Sequence, residues 1–288
     1  MNDSGAKLLA RCTFPPAETS VTCAVSGGAD SLALLALAVA AGCHATAIHV
    51  DHGLRKDSAR EADVVEAMAL QLGASFQTVQ VQVGQGPNLE ARARAARYAA
   101  LPTDVLTGHT ADDQAETLLV NLLRGAASNG LSAMRPGVRR PILALRRHET
   151  EELCAAMGLT VFHDPTNTDP RHIRNRVRHE LLPLMADISQ RDLVPLLVRQ
   201  ADIARADADF LDDLATEIDP SDARSLAAAP IALARRAVRR WLSGDHPPDA
   251  ATVERVLAVA RGEASATDLG EGNSVRRSHQ RLRVVRTK

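Results

Sequence analysis

Lysine is nearly missing from this chain: three of its 34 basic residues are lysine (Lys7, Lys56 and Lys288) and the other 31 are arginine. No Gly-Lys-Ser or Gly-Lys-Thr triplet occurs, which excludes a Walker A phosphate loop. Aromatic residues make up only 2%, with one tyrosine (Tyr98) and one tryptophan (Trp241). A protein that stacks single-stranded bases on rings has little to work with here, so arginine planes or apolar walls would have to serve. The four cysteines, Cys12, Cys23, Cys43 and Cys154, form no Cys-x-x-Cys pair and stand at no structural-zinc spacing from histidine. They read as reduced, small apolar residues. The longest uninterrupted apolar run, Leu32 to Ala41, has ten residues, against about 20 for a membrane span, and Met1 to Phe14 has no secretory-type apolar stretch. The expectation is a cytoplasmic protein with no membrane association.

What is present is an ordinary globular composition, 45% apolar and 24% charged over 288 residues, long enough for one large domain and a smaller appendage. From Val21 to Leu159 short β-rich runs alternate with helical ones. Strands are expected at Val21–Val25, Ala45–Val50, Phe76–Val83, Asp104–Thr107 and Pro141–Leu145. Helices are expected at Asp30–Ala41, Asp57–Leu72, Leu89–Leu101, Ala111–Leu123 and Glu149–Met157. Such alternation implies parallel strands joined by right-handed crossovers, hence an α/β domain with a doubly wound sheet and ligands beyond the strands' carboxyl ends. From about Asp187 the strands stop, and helices are expected at Asp192–Glu217, Pro230–Leu242 and Asp249–Arg261, with a strand pair in the tail, Ser274–Thr287. The division is therefore a catalytic domain, 1–190, and a smaller, mainly helical domain, 191–288. Nothing in the sequence decides between a monomer and a homodimer.

The sharpest motif is Ser26-Gly27-Gly28-Ala29-Asp30-Ser31, between an apolar strand and an apolar helix. Glycines let a ligand approach the backbone, and free amides at a helix start bind anions. Two further blocks follow strands and so reach the same edge: Asp51-His52-Gly53-Leu54-Arg55, and His109 to Thr117, in which Asp112, Asp113 and Glu116 converge over one helical turn. Dipole compensation explains one or two acids at a helix start; it explains poorly three acids after a histidine beside a phosphate loop. Two stretches are basic without acids: Arg171 to His179, holding Arg171, Arg174, Arg176 and Arg178, and the tail from Ser274, with Arg276, Arg277, Arg281, Arg283, Arg286 and Lys288. Asp202 to Asp222, with eight acids and one arginine, offsets them, so the net charge of −1 reports cancellation between regions. This acidic stretch is expected to face away from the basic ones.

The Ser26–Ser31 string resembles the SGGxDS pyrophosphate loop of the ATP pyrophosphatase (PP-loop) family. Taken with Glu90-x-x-Ala93-Arg94-x-x-Arg97-Tyr98, Leu123-Arg124-Gly125, Gly130-Leu131-x-x-Met134, Asp164 to Asn167 and Arg174-Asn175-Arg176-x-Arg178, in order over about residues 20–185, it looks like the tRNA(Ile)-lysidine synthetase branch of that family. Ala126 to Asn129 and His172 depart from the usual pattern, and beyond about residue 190 the resemblance is weak. The resemblance implies a sheet of adenine-nucleotide α-hydrolase type. It also implies a ligase that uses ATP and Mg²⁺ to join free L-lysine to a cytidine in the CAU anticodon of tRNA(Ile). On it, Ser26 to Ser31, Asp51, His52 and His109 would hold ATP, and Asp30 with Asp112 or Asp113 the Mg²⁺. Asp30, Asp112, Asp113 and Glu116 would carry the chemistry. Arg94, Arg97, Arg124, Arg174, Arg176 and Arg178 would bind the adenylate or the tRNA. If six basic residues contact phosphates, log K for tRNA should fall with log salt at a slope of roughly −5. Asp113, expected at an exposed sheet edge, would be removable without harm to the fold. The rival classes are a PP-loop tRNA thiolase, a metabolic synthetase that adenylates a carboxylate or amide oxygen, and a non-catalytic nucleotide sensor.

Overall fold

The computed structural model describes residues 3–51, 58–81, 92, 95–96, 99–162, 169–244 and 247–286. Its elements run α1 (Asp3–Leu9), β1 (Ser20–Ala24), α2 (Ala29–Ala40), β2 (His44–Asp51), α3 (Ser58–Gln71), β3 (Ser75–Gln80), β4 (Leu106–Thr107), α4 (Ala111–Leu123), α5 (Ser128–Leu131) and α6 (Arg147–Ala156). They continue as α7 (Ile173–Arg176), a π turn (Val177–Leu181), α8 (Leu182–Ser189), α9 (Val194–Ala215), α10 (Ala223–Ala228), α11 (Ile231–Leu242), α12 (Ala250–Arg261), β5 (Ala266–Gly270), β6 (Asn273–Ser278) and β7 (Arg281–Arg286). The expected helix at Leu89–Leu101 falls largely outside the described residues.

The chain forms two compact units, 1–201 and 202–288, a division eleven residues beyond the one drawn from the sequence. In the first, four parallel strands lie in the order β3-β2-β1-β4. The chain steps outward from β1 to β3, then returns to the other side of β1 as β4. That reversal opens a crevice between the carboxyl ends of β1 and β4, where a doubly wound sheet binds its ligand. The β1–α2 loop and the β4–α4 loop, which carry the two sharpest motifs, both start there.

Helix α2 is apolar on every side, and Ser31 to Ala38 are all buried. It is a core helix rather than an amphipathic surface one, in one buried cluster with Ala45, Ala47, Val65, Ile142, Leu145, Leu153 and Cys154. Burial of that kind fixes the position of its first turn.

Pro141–Leu145 is not a strand but a series of turns. Ile142 and Leu145 are wholly buried, and a short buried apolar run looks the same in either state. The β-strand content of the second unit was underread. Its tail is a three-stranded antiparallel sheet, β5-β6-β7, rather than a pair. The first strand, Ala266–Gly270, is half exposed, with only Thr267 and Leu269 partly covered, so its sequence carries little apolar alternation. Val275 and Leu282 of this sheet pack with Val256, Leu257 and Leu226 into the core of the second unit.

Candidate active site

The β1–α2 loop is built for an anion. Gly27 takes φ +83°, in the left-handed region, and Gly28 caps α2 with no side-chain cap, which leaves the first amides of the helix without a side-chain acceptor. Ser31 Oγ closes the loop by donating to the Gly28 carbonyl at 2.8 Å and accepting from Ser26 N at 3.2 Å. The N-cap is thus Gly28. Among the described residues a Cβ on Gly28 would meet nothing nearer than Ser26 Oγ at 3.8 Å, its chain neighbours aside, and its φ of −74° suits any residue. The fold does not require glycine there, whereas a ligand lying against the backbone does. Gly108, in the β4–α4 loop, is glycine for the opposite reason. A Cβ on it would stand 2.7 Å from the Asp30 carbonyl oxygen, so the two loops meet backbone to backbone.

Both loops line a cavity of about 420 Å³ that also takes in Ala24, His49, Val50, His109, Asp113 and Arg147. The size suits a nucleotide-scale ligand. His109 lines it, with Nδ1 2.9 Å from Thr107 Oγ1. Asp51 ends β2 at the same sheet edge but is not among the lining residues. His52, Arg94 and Arg97 lie outside the described residues. His49 was missed by the sequence reading. It is buried, and its Nδ1 donates to the Val25 carbonyl at 2.9 Å, because that partner only accepts.

The larger omission is Arg147, in the first turn of α6. Its guanidinium meets Glu116 Oε1 at 3.1 Å, Asp113 Oδ1 at 3.2 Å and Asp30 Oδ2 at 3.5 Å, while its backbone N–H donates to Asp112 Oδ2 at 2.8 Å. One arginine gathers four carboxylates from two elements. Arg174 adds a second cation, with Nε 2.8 Å from Glu116 Oε2 and Nη2 3.0 Å from Asp113 Oδ1. Arg178 Nε lies 4.0 Å from Glu116 Oε1. Such pairing gives hydrogen-bond partners to both oxygens of Glu116, whose side chain is only 2% exposed. The signal available in the sequence was Arg146-Arg147 directly after a buried run, where α6 begins two residues earlier than expected.

These partners set the acidities. Burial pushes Asp30 up to about 6, held back by the hydrogen bond from Thr150 Oγ1 and by the Arg147 charge. Burial also acts on Asp113, but Arg147, Arg174 and the Thr110 amide outweigh it and hold the carboxyl below its usual range. Asp112 is likewise lowered against its burial, by two hydrogen bonds from Arg146 and one from the Arg147 amide.

Several expectations need correction. Asp113 is not at an exposed edge. Its side chain is 14% exposed, and its Oδ2 accepts from Thr110 N at 2.8 Å and caps α4. Losing such a cap costs about 1 kcal/mol, so removing Asp113 perturbs fold and site together. Asp112 and Asp113 do not suit Mg²⁺, because arginine and amide donors already occupy the Asp112 oxygens and both Asp113 oxygens. Asp30 is the least engaged of the three, with Thr150 on Oδ1 and Arg147 Nε 3.5 Å from Oδ2, and Mg²⁺ bound with nucleotide phosphates needs only one or two carboxylates. Among the described residues no three His, Cys, Asp or Glu side chains form a metal-holding group.

The Arg171–His179 stretch is not a free basic face. Arg171 pairs with Asp169, Arg176 with Glu180, and Arg174 and Arg178 turn inward to Glu116. Arg124 follows the last residue of α4, about 18 Å along the axis from Asp112 at 1.5 Å per residue. Nor does the acidic stretch avoid the basic tail, since Asp219 Oδ2 accepts from Arg281 Nη1 at 2.7 Å.

A glycine loop lying between a parallel strand and a buried helix at a sheet reversal, with no lysine among the described residues that line the cavity, defines an ATP-binding domain of the PP-loop class. Residues 3–185 match the PP-loop domain, and residues 222–283 match the TilS substrate binding domain. Proteins called tRNA(Ile)-lysidine synthase align over most of the chain. The one from Nocardia farcinica is 44% identical over 245 residues, spanning 80% of this chain and 77% of the relative. Those from Mycobacterium leprae (42%, spanning 76% and 73%) and Thermobifida fusca (41%, spanning 85% and 84%) are similar. The chain belongs to the tRNA(Ile)-lysidine synthase family, a family of ligases. Among solved structures, the U34-tRNA thiolase NcsA from Methanococcus maripaludis shares the fold, with a TM-score of 0.55 at 17% identity over 69% of this chain and 77% of that one.

Proposed function

We propose that this protein joins L-lysine to C2 of the wobble cytidine in the CAU anticodon of tRNA(Ile), consuming ATP. The observation that carries the reading is one cavity lined by both an amide-rich glycine loop and the Asp113 carboxylate, with Glu116 beside it. In the first step cytidine O2 attacks the α-phosphate, pyrophosphate leaves, and the base is adenylated. In the second, the lysine ε-amine, having lost a proton, attacks C2, and the C–O bond to AMP breaks. The first amides of α2, Ser26 and Ser31 would hold the pyrophosphate portion. Asp30 would hold Mg²⁺, which supplies positive charge to the phosphates.

Asp113, kept ionised by Arg147 and Arg174, suits a carboxylate that binds an ammonium. Its lowered pKa makes it a poor proton acceptor. Admission of lysine then requires one of these arginines to release a carboxylate oxygen. The second unit, which matches a substrate binding domain, would hold the tRNA. A cytoplasmic location fits that substrate, and among the described residues no helix is long and apolar enough to cross a membrane.

The thiol environments favour ligation over thiolation. Burial pushes Cys12 and Cys23 up to about 12 and Cys154 to about 11, and sulfur transfer needs an accessible thiolate. A ligase releases pyrophosphate from ATP when tRNA(Ile) is added. A nucleotide sensor binds ATP and releases none, so a tRNA-stimulated pyrophosphate assay separates the two, and absence of stimulation rules the ligase reading out.

A further inference from the structure

The six basic residues of the tail do not do the same work. Arg277 sits against the end of α12, where its Nη1 donates to the carbonyls of Ala260 at 2.9 Å and Val259 at 3.4 Å, a C-terminal cap. Arg281 is held by Asp219 and Ser221. Lys288 lies outside the described residues, and Arg286, at the end of β7, stands opposite Asn273 in the alternation of Leu282 and Val284, not in that of Arg283. Arg276 and Arg283 differ from these. Each is exposed, and neither side chain makes an ion pair or hydrogen bond with a described residue.

The sheet register places them directly opposite one another, Arg276 on β6 against Arg283 on β7. Side chains at opposed positions lie on one face, with Cβ atoms about 4.5–5.5 Å apart. The other face is the buried one, carrying Val275 and Leu282, so the arginine pair projects from the outer face. Its neighbours offer no compensation. Across β5 the partner of Arg276 is Ala266, and along the outer edge of β7 Ser221 and Asp222 bridge to Leu282 and Arg281, without an ion pair to Arg283. Two acids stand near the pair in the register: Asp268, opposite Ser274, accepts the Gly270 amide, and Asp222, opposite Arg281, accepts the Arg224 amide, and neither pairs with Arg276 or Arg283. Like charges directly opposed weaken a sheet, and a single lysine or arginine would already protect the edge from unwanted pairing. The pair thus opposes the fold that displays it, and its two planar forks suit an oxygen-rich anion.

We infer that Arg276 and Arg283 form a phosphate clamp for the RNA backbone on the outer face of the β5-β6-β7 sheet, whereas Arg277 and Arg281 are structural. This rests on the tRNA-ligase reading above and narrows the contribution of the second unit to two residues. The clamp reads no bases, since phosphate contacts position a nucleic acid without specifying sequence.

The test is filter binding of the CAU-anticodon tRNA(Ile) transcript across a salt series, for the full-length wild type, R276Q/R283Q and R277Q. The double variant should bind more weakly at low salt, with a slope of log K against log salt shallower by about 1.5, as expected for two lost phosphate contacts. Its Tm should equal or exceed that of the wild type, because the repulsion is gone. R277Q should lose Tm while its salt slope stays that of the wild type. An unchanged slope in R276Q/R283Q overturns the clamp, as does a lowered Tm, which would show the pair to be structural. Failure of the wild type itself to bind the transcript would instead remove the tRNA reading on which the clamp depends.

Discussion

Replacing Gly28 with alanine should leave the fold as stable as before, or slightly more so, yet remove most of the affinity for ATP. Among the described residues, the two chain neighbours aside, nothing stands nearer to the new Cβ than Ser26 Oγ at 3.8 Å, and φ is −74°. Alanine also restricts the unfolded chain, a gain of about 0.4–1 kcal/mol where the native backbone accepts it. The methyl group would occupy the space through which a phosphate reaches the α2 amides. Gly108→Ala should fail differently. Its Cβ would lie 2.7 Å from the Asp30 carbonyl oxygen and 2.9 Å from the carbonyl carbon, both backbone atoms that cannot swing aside. The two loops must part, and a displacement of about 1 Å at a reacting site costs about a hundredfold in rate, with about 1–3 kcal/mol lost to overpacking. Thermal denaturation with and without ATP separates the cases. Gly28→Ala should keep its Tm and lose the ATP-induced rise; Gly108→Ala should lose both. An undiminished ATP-induced rise in Gly28→Ala would mean that the loop is not where phosphate binds.

Arg147→Met should be the most destabilising single change at the site. Arg147 is 16% exposed and pairs with Asp113 at 14% and Glu116 at 2%. Removing one partner of a buried pair costs about 3–5 kcal/mol, because it leaves the other charge uncompensated. The loss should fall near 3 kcal/mol, since Arg174 still reaches both acids. Adding Glu116→Gln to Arg147→Met should recover part of that loss, the non-additivity expected of residues in direct contact. Urea denaturation followed by far-ultraviolet circular dichroism measures both. A cost below about 1 kcal/mol, the value of a surface pair, would show that the cluster does not hold the unit together.

Much of the nucleotide half of this site was legible in the sequence, because it depends on local pattern. Short apolar runs ending in Ser26-Gly27-Gly28 and in Gly108-His109 locate strand ends, and strand ends locate the ligand edge. The carboxylate half was legible only as a list of acids. That Asp112 and Asp113 are consumed by arginines depends on α6, whose first turn comes from 34 residues further along the chain, and no spacing rule spans that distance. Pairing in the Arg171–His179 stretch was partly readable, since Glu180 follows Arg176 at i,i+4. In the tail, charge counting gave six equivalent cations. Only the register distinguishes Arg277, facing the α12 carbonyls, from Arg276, facing out.

The account stands most directly on lysine transfer. Labelled L-lysine, ATP and Mg²⁺ should be incubated with the protein and a CAU-anticodon tRNA(Ile) transcript, beside a transcript in which the wobble cytidine is replaced by uridine. Label should enter the first RNA, only when ATP is present, and should not enter the second. Absence of label from the first under conditions where ATP binds, or equal labelling of the two, would contradict the assignment.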